Sequence, residues 1–311
     1  MAVTLSVELA GAERSWQPPG PLDLLRTLGP LRRGPGDPTH RVVGGDVWRT
    51  LPTPGGPATL RLAAGAAGGP VHAAAWGPGA AWALDAVPDV LGARDRPADF
   101  VPGHPLLTTT HRRHPGVRIC RTGLVFDQVV PAVLEQKVTG VEARRSWREL
   151  VLRFGDPAPG PAPAGMRVAP SARALLALPD WQWHLAGVDT TRRRAIRAAA
   201  TVAGRLDECA GMPPEAAARR LMAVPGIGRW TAAEVAQRSL GDADAVSVGD
   251  YHVPGLVGWA LAGRPLDDDG MLALLEPYRP HRHRVVRLIE LSGFRKPRFG
   301  PRLTIRDYRR L

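Results

Sequence analysis

Arg219-Arg-Leu-Met-Ala-Val-Pro-Gly-Ile-Gly-Arg-Trp-Thr-Ala-Ala-Glu234 is the stretch on which the fold turns. Pro214 stands where a first-turn proline is tolerated, so a helix from Pro214 to Val224 is expected. Pro225-Gly226 breaks it, and a second helix begins near Arg229. Gly226 and Gly228 flank Ile227. Glycine at both places allows a tight turn with positive φ and leaves no side chain between backbone and partner. The amides of such a turn, next to a helix N-terminus, form an anion site. Ile227 is expected to pack inward between the helices. A bare Pro-Gly-x-Gly also occurs in ordinary helical hairpins, but here a basic residue follows the turn directly.

Around this hairpin the chain divides in two. Upstream, Arg41 to Leu51 reads as strand, Gly-Gly turn, strand. Ala58–Ala63 and Val71–Trp76 read as two further strands, and Leu22–Leu28 and Ala80–Leu91 as short helices. Residues 100–117 are a Pro-, Gly- and His-rich connector. Beyond it the period becomes helical: two helices between Val125 and Phe154 around Lys137-Val-Thr-Gly140, then Ser171–Leu176, Thr191–Asp207, the hairpin, His252–Leu261 and His283–Leu291. Asp156–Pro170 is expected to be a surface loop. The fold class is therefore α+β. The expected domains are a β-rich N-terminal domain over 1–110, an all-helical domain over 111–295 and a basic tail over 296–311.

Charge follows the same division. The 311 residues hold 41 Lys and Arg against 29 Asp and Glu, a net of +12. Residues 1–110 hold nine of each sign, so the excess lies wholly beyond them, and residues 279–311 alone carry +9. A neutral half joined to a basic half points to a polyanion, most simply nucleic acid, although a basic surface can also be merely solvated. No run of about 18 apolar residues suggests a membrane span, and the first 20 residues lack the pattern of a secretory signal. Cys120 and Cys209 are too few for a disulfide framework or an iron–sulfur cluster. His111, His114, His281 and His283 have no Cys or carboxylate at ligand spacing, so no metal is expected. A soluble, reduced, cytoplasmic protein is the expectation.

Val224-Pro-Gly-Ile-Gly-Arg-Trp-Thr-Ala232, followed by Val246-Ser-Val-Gly-Asp-Tyr251, resembles the helix-hairpin-helix/Gly-Pro-Asp DNA glycosylase superfamily, in its DNA-3-methyladenine glycosylase II branch. That branch carries an Asp 22 residues after the second hairpin glycine, and here the position is Asp250. Leu134-Glu-Gln-Lys-Val-Thr139, Leu185-Ala-Gly-Val-Asp189 and Pro280-His-Arg282 have counterparts at similar spacing. The N-terminal segment resembles, more weakly, the branch's TATA-binding-protein-like β domain.

The resemblance implies a monofunctional DNA glycosylase that flips out an alkylated base, of the 3-methyladenine or 7-methylguanine type, and removes it by hydrolysis in base excision repair. No cofactor is required, and the partner is double-stranded DNA, met by a monomer at the nucleoid. A non-catalytic DNA-binding protein built on the same hairpin, or a glycosylase of different lesion range, is the alternative. Asp250 is the expected catalytic carboxylate, stabilising oxocarbenium character on the sugar. An Asp before a helix is also an ordinary N-cap, and the two roles are compatible because a helix N-terminus favours negative charge. Strand-nicking relatives use a Lys at the position of Trp230, so this chain is expected not to cut the strand.

The expected base pocket is Trp230, Glu234, Tyr251 and Glu290. Trp230 is a stacking surface or a core tryptophan. Glu234 and Glu290 stand where the branch has aromatics. They either line an acidic pocket for a cationic base or are solvated, or paired with Arg284 or Arg287. The expected DNA contacts are Gly226, Gly228, Arg229, Thr231, Gln136 and Lys137. Lys137 or Val138 is the wedge that fills the gap left by the flipped base, or Lys137 touches a phosphate. Arg192-Arg-Arg194, Arg295–Arg298 and Arg302–Arg310 suit phosphate contacts or a solvated face.

Overall fold

The computed structural model describes residues 11–66, 68–297, 305 and 307. The expected basic tail over 296–311 therefore lies outside the described residues, apart from Lys296, Pro297, Ile305 and Asp307. Five strands, β1 (Ala12–Trp16), β2 (His40–Val43), β3 (Asp46–Thr53), β4 (Gly56–Ala64) and β5 (Val71–Trp76), form one antiparallel sheet in the order β1-β5-β4-β3-β2. Gly44 and Gly45, with φ of 60° and 93°, make the expected two-residue turn between β2 and β3. Four of the strands follow the reading above. β1 was not anticipated: Glu13, Arg14 and Ser15 leave it without an apolar pattern, which is how a sheet edge is kept from pairing further.

Alternation along β3 and β4 turns Val47, Leu51, Leu60 and Leu62 onto Leu24 and Leu28 of the helix Leu24–Leu28 and onto Ala83, Leu84, Val87 and Val90. Asp23 starts that helix, its carboxylate accepting from the Arg26 amide at 2.9 Å. This is the first of three cores.

The second core gathers five helices, Val125–Leu134, Gly140–Phe154, Thr190–Thr201, Pro214–Met222 and Arg229–Ser239, around Trp183, Ile196, Leu221 and Ile227. Thr139 and Glu142 form a reciprocal capping box at the start of Gly140–Phe154. The third core packs Phe100 and Leu107 with Val257, Met271, Leu275, Val285 and Ile289. It joins the helices Pro105–Arg113, Val253–Ala262, Asp268–Leu275 and Arg282–Leu291.

Two segments differ from expectation. Pro105–Arg113, expected within a connector, is a helix with Pro105 in its first turn and the His104 ring accepting from the Leu106 amide. Only Leu107 and Thr110 are buried along it, too few to show a period. Phe100 and Leu107 thus belong to the last helices of the chain rather than to the sheet. Asp156–Pro170, expected as a loop, doubles back: Asp156–Pro157 pairs with Arg167–Val168, and Met166 and Val168 are buried. The Arg167 carbonyl accepts from the Thr50 hydroxyl at 2.6 Å, fastening this excursion to the sheet.

Candidate active site

The hairpin belongs to the second core, and Trp230 on its second helix reaches the turn that leads into the third. Val224 and Ile227 are buried in the hairpin turn, and the Ile227 amide donates to the Val224 carbonyl at 3.0 Å. Burying such a side chain stabilises by about 1.5–3 kcal/mol, enough to seat the turn. Gly226 has φ +87°, and a Cβ there would stand 2.6 Å from the Ala195 Cβ. Both conformation and space demand glycine. Gly228 corrects the expectation of positive φ at both glycines. It is extended, φ −97° and ψ −175°, and caps the helix Arg229–Ser239 with no side-chain hydrogen bond. A Cβ on it would meet open space. Glycine at 228 therefore leaves the first-turn amides, which have no intrahelical partner, open to an anion. Arg229 is exposed beside them.

Gln136 and Thr231, expected among DNA contacts, serve the turn's shape. The Gln136 Nε2 donates to the Gly226 carbonyl at 2.9 Å and to the Thr231 hydroxyl at 2.8 Å. Thr231 is buried. Lys137, next in sequence, is exposed at the tip of this loop with φ +54°, the one non-glycine residue of positive φ among the described residues. Strain of this sort persists only where surrounding contacts enforce it, and the Gln136 bonds on one side and the Thr139 cap on the other do so.

Asp250 lies in the turn that leads into the helix Val253–Ala262 and faces back to the hairpin. Its Oδ1 accepts from the amides of His252 at 2.6 Å and Val253 at 2.9 Å. Its Oδ2 accepts from the Trp230 indole N–H at 2.9 Å. The N-cap residue itself is His252, and Asp250, two residues earlier, accepts from the leading amides with one oxygen and faces the hairpin with the other. Gly249 has φ +89°, and its amide donates to the Asp268 carboxylate. Trp230 and Asp250, brought together from 20 residues apart, are each half-buried. Tyr251 is not enclosed with them. It is 81% exposed and lies edge-on to His252, because the turn into the helix swings it outward.

The two glutamates are engaged. Glu234 accepts from Arg238 at 2.7 Å and from the Ser247 hydroxyl at 2.5 Å. Glu290 pairs with Arg287 on an exposed face. Neither presents a free carboxylate for an acidic pocket. Ser247, Gln237 and Arg238 were not singled out from the sequence, although Gln237 follows Trp230 by seven residues, a same-face spacing in a helix.

Among the other basic residues, Arg192 is buried and bonded to Asp189, the Leu134 carbonyl and the Gly187 carbonyl. It is structural rather than a phosphate contact. Arg193 pairs with Asp180, whereas Arg194 is exposed. His111 and His281 stand edge-on to Phe100. Burial, reinforced by the Arg287 charge, holds the His283 imidazole well below its ordinary range. Among the described residues no three His, Cys, Asp or Glu side chains are grouped to hold a metal, and no helix is long and apolar enough to cross a membrane.

No protein-family model matches the chain. Over 171 residues, 54% of its length, it is 34% identical to a protein of Mycobacterium tuberculosis named probable bifunctional transcriptional activator/DNA repair enzyme AlkA. The match takes in 32% of that protein, so the chain spans about a third of the length of the curated relatives it matches. Its fold is that of a 3-methyladenine DNA-glycosylase from Archaeoglobus fulgidus, with a TM-score of 0.75 at 18% identity, covering 91% of this chain and 98% of the other. An 8-oxoguanine glycosylase/lyase from Clostridium acetobutylicum, solved with double-stranded DNA, superposes with a TM-score of 0.67 at 9% identity over 91% of this chain and 97% of that one. With the hairpin and Asp250 set as described, the chain has the fold of these DNA glycosylases and, over about half its length, is similar in sequence to the M. tuberculosis relative.

Proposed function

We propose that the chain is a monofunctional DNA glycosylase that flips an alkylated purine out of duplex DNA and hydrolyses its N-glycosidic bond. The observation that carries this reading is the Asp250 carboxylate, locked by two amides on Oδ1 and by the Trp230 indole on Oδ2, beside an uncapped helix N-terminus. The named activity of the M. tuberculosis relative, a DNA repair enzyme, and that of the A. fulgidus protein support it.

The hairpin takes a backbone phosphate on the amides after Gly228, with Arg229 adding charge, and reads no sequence there. The nucleotide turns out of the stack, and the Lys137-Val138 loop tip fills its place. The base lies against Trp230. A purine alkylated at N3 or N7 is cationic in DNA and departs as a neutral base, so the site needs no proton donor for it. As the bond to C1′ breaks, positive charge grows on the sugar, and Asp250 stabilises it electrostatically. Water adds to C1′ and passes its proton to that carboxylate or to solvent. The products are free base and an abasic site in an uncut strand, since Trp230 stands where an amine nucleophile would be needed. All groups come from one chain, so a monomer suffices, acting on the nucleoid in the cytoplasm.

A duplex carrying a single 7-methylguanine tests the proposal. The wild type is expected to release free base, and Asp250→Asn to release it at least a hundredfold more slowly while binding the duplex equally well. Duplex binding without base release from any alkylated DNA would leave a non-catalytic DNA-binding protein instead.

A further inference from the structure

Glu234 stands one turn beyond Trp230, on the side of the helix Arg229–Ser239 that meets the loop before Asp250. Its two oxygens work in different directions. Oε1 accepts from Ser247 Oγ at 2.5 Å, and Oε2 accepts from Arg238 Nη1 at 2.7 Å. Gln237 Nε2 donates to the same Ser247 oxygen at 2.9 Å and to the Ala245 carbonyl at 2.9 Å. The Asp250 amide then donates to the Ser247 carbonyl at 3.2 Å. Positions 230, 234 and 237 share one helix face, and together they hold the loop at Asp250, Ser247 and Ala245.

Arg238 carries the brace outward. Its Nε donates to the Pro30 carbonyl at 3.1 Å. Pro30 lies in the neutral N-terminal half, where Arg33 reaches across to Glu135 and Gln128.

We propose that Glu234 is a positioning residue: through Ser247 it sets the Asp250 carboxylate at a fixed distance from the hairpin, and through Arg238 it ties that setting to the N-terminal half. This rests on the glycosylase reading above. It assigns Glu234 the task of a strut where a wall of the base pocket was expected. Each of its oxygens already accepts a hydrogen bond from within the chain. Small misplacements of a reacting group cost up to about a hundredfold in rate, so the strut acts on turnover rather than on DNA affinity.

Ser247→Ala cuts the strut while leaving the Glu234–Arg238 pair whole, which keeps the protein folded. Excision of 7-methylguanine is expected to lose about tenfold in kcat with KM and duplex affinity unchanged. Glu234→Ala added to Ser247→Ala is expected to lose more kcat than Ser247→Ala alone, because the Arg238 tie goes too, yet less than the product of the two single losses, because both single variants remove the Glu234–Ser247 bond. Wild-type turnover in Ser247→Ala, or single losses that simply multiply in the double variant, would overturn the proposal. A readout independent of activity separates it from the functional reading. Hydrogen exchange of the Trp230 indole N–H is expected to quicken in Ser247→Ala, while amides of Arg229–Ser239 exchange as in wild type. Unchanged indole exchange refutes the strut. Quickened exchange in a protein that excises no base upholds the strut and refutes the glycosylase.

Discussion

The Trp230 indole donates its N–H to Oδ2 of Asp250 at 2.9 Å, across the seam between the second and third cores. A tryptophan expected to stack on a base therefore also orients the carboxylate. Trp230→Phe keeps an aromatic surface and removes the donor. Base release is expected to slow by about ten- to a hundredfold, since a hydrogen bond to a charged group contributes about 1.5–3 kcal/mol, with duplex affinity within twofold of wild type. Single-turnover release and a binding titration check both halves. Equal rates would show that the two amides on Oδ1 suffice to hold Asp250.

The hairpin glycines are expected to separate stability from binding. At Gly226 a methyl group meets Ala195 at 2.6 Å and the backbone has φ +87°. Gly226→Ala should cost about 2–4 kcal/mol, the sum of a clash and a left-handed strain. At Gly228 the backbone is extended and the space open. Gly228→Ala should change stability by less than about 1 kcal/mol, yet weaken duplex binding, because its methyl would enter the space proposed for the phosphate. Urea unfolding set beside DNA titration distinguishes them.

What the sequence made legible was whatever local chemistry dictates. Pro225, Gly226 and Ile227 announce a turn by residue type alone, whereas Asp250 is singled out only by what the family resemblance implies. Strands β2 to β5 carry their turns and alternation with them. β1 and Pro105–Arg113 bury too little to leave a pattern. Gly228 was misjudged because a glycine needed for open space looks the same in sequence as one needed for positive φ. Glu234 escaped for another reason. Its partner Ser247 lies 13 residues away, and the Arg238 contact to Pro30 spans 208. Such pairings exist only once the cores are assembled.

Arg192 and Arg194, two residues apart in one basic run, are expected to behave in opposite ways. Arg192 satisfies the Leu134 carbonyl at a helix end and holds Asp189 and Gly187, at 5% exposure. Arg192→Ala leaves those acceptors unpaired and should destabilise by about 2–4 kcal/mol. Arg194 is exposed. Arg194→Ala should leave stability within about 0.5 kcal/mol of wild type, while lowering the slope of log affinity against log salt by about 1. Unfolding curves and binding at two or more salt concentrations test the pair.

Buried titrating groups give the fold opposing responses to pH. Burial pushes the Asp127 carboxyl up from near 3.8 to about 6, against the pull of Arg49 and Arg33. The folded chain then binds a proton that the unfolded chain has lost. This contribution to stability falls as pH rises from about 4 to about 6 and is gone above that. Burial and the Arg49 charge push the His40 imidazole down from near 6.5 to about 3. There the unfolded chain binds the extra proton, so stability falls as pH drops through that window. The wild-type profile sums the two, but Asp127→Asn isolates the first. Relative to wild type, the variant should gain about 1–2 kcal/mol between pH 4 and pH 7, the lower end reflecting the partial solvent access of Asp127. Urea midpoints of both proteins at pH 4, 5.5 and 7 measure that difference. Parallel curves would mean that the Asp127 carboxyl ionises in the folded chain as readily as in the unfolded one.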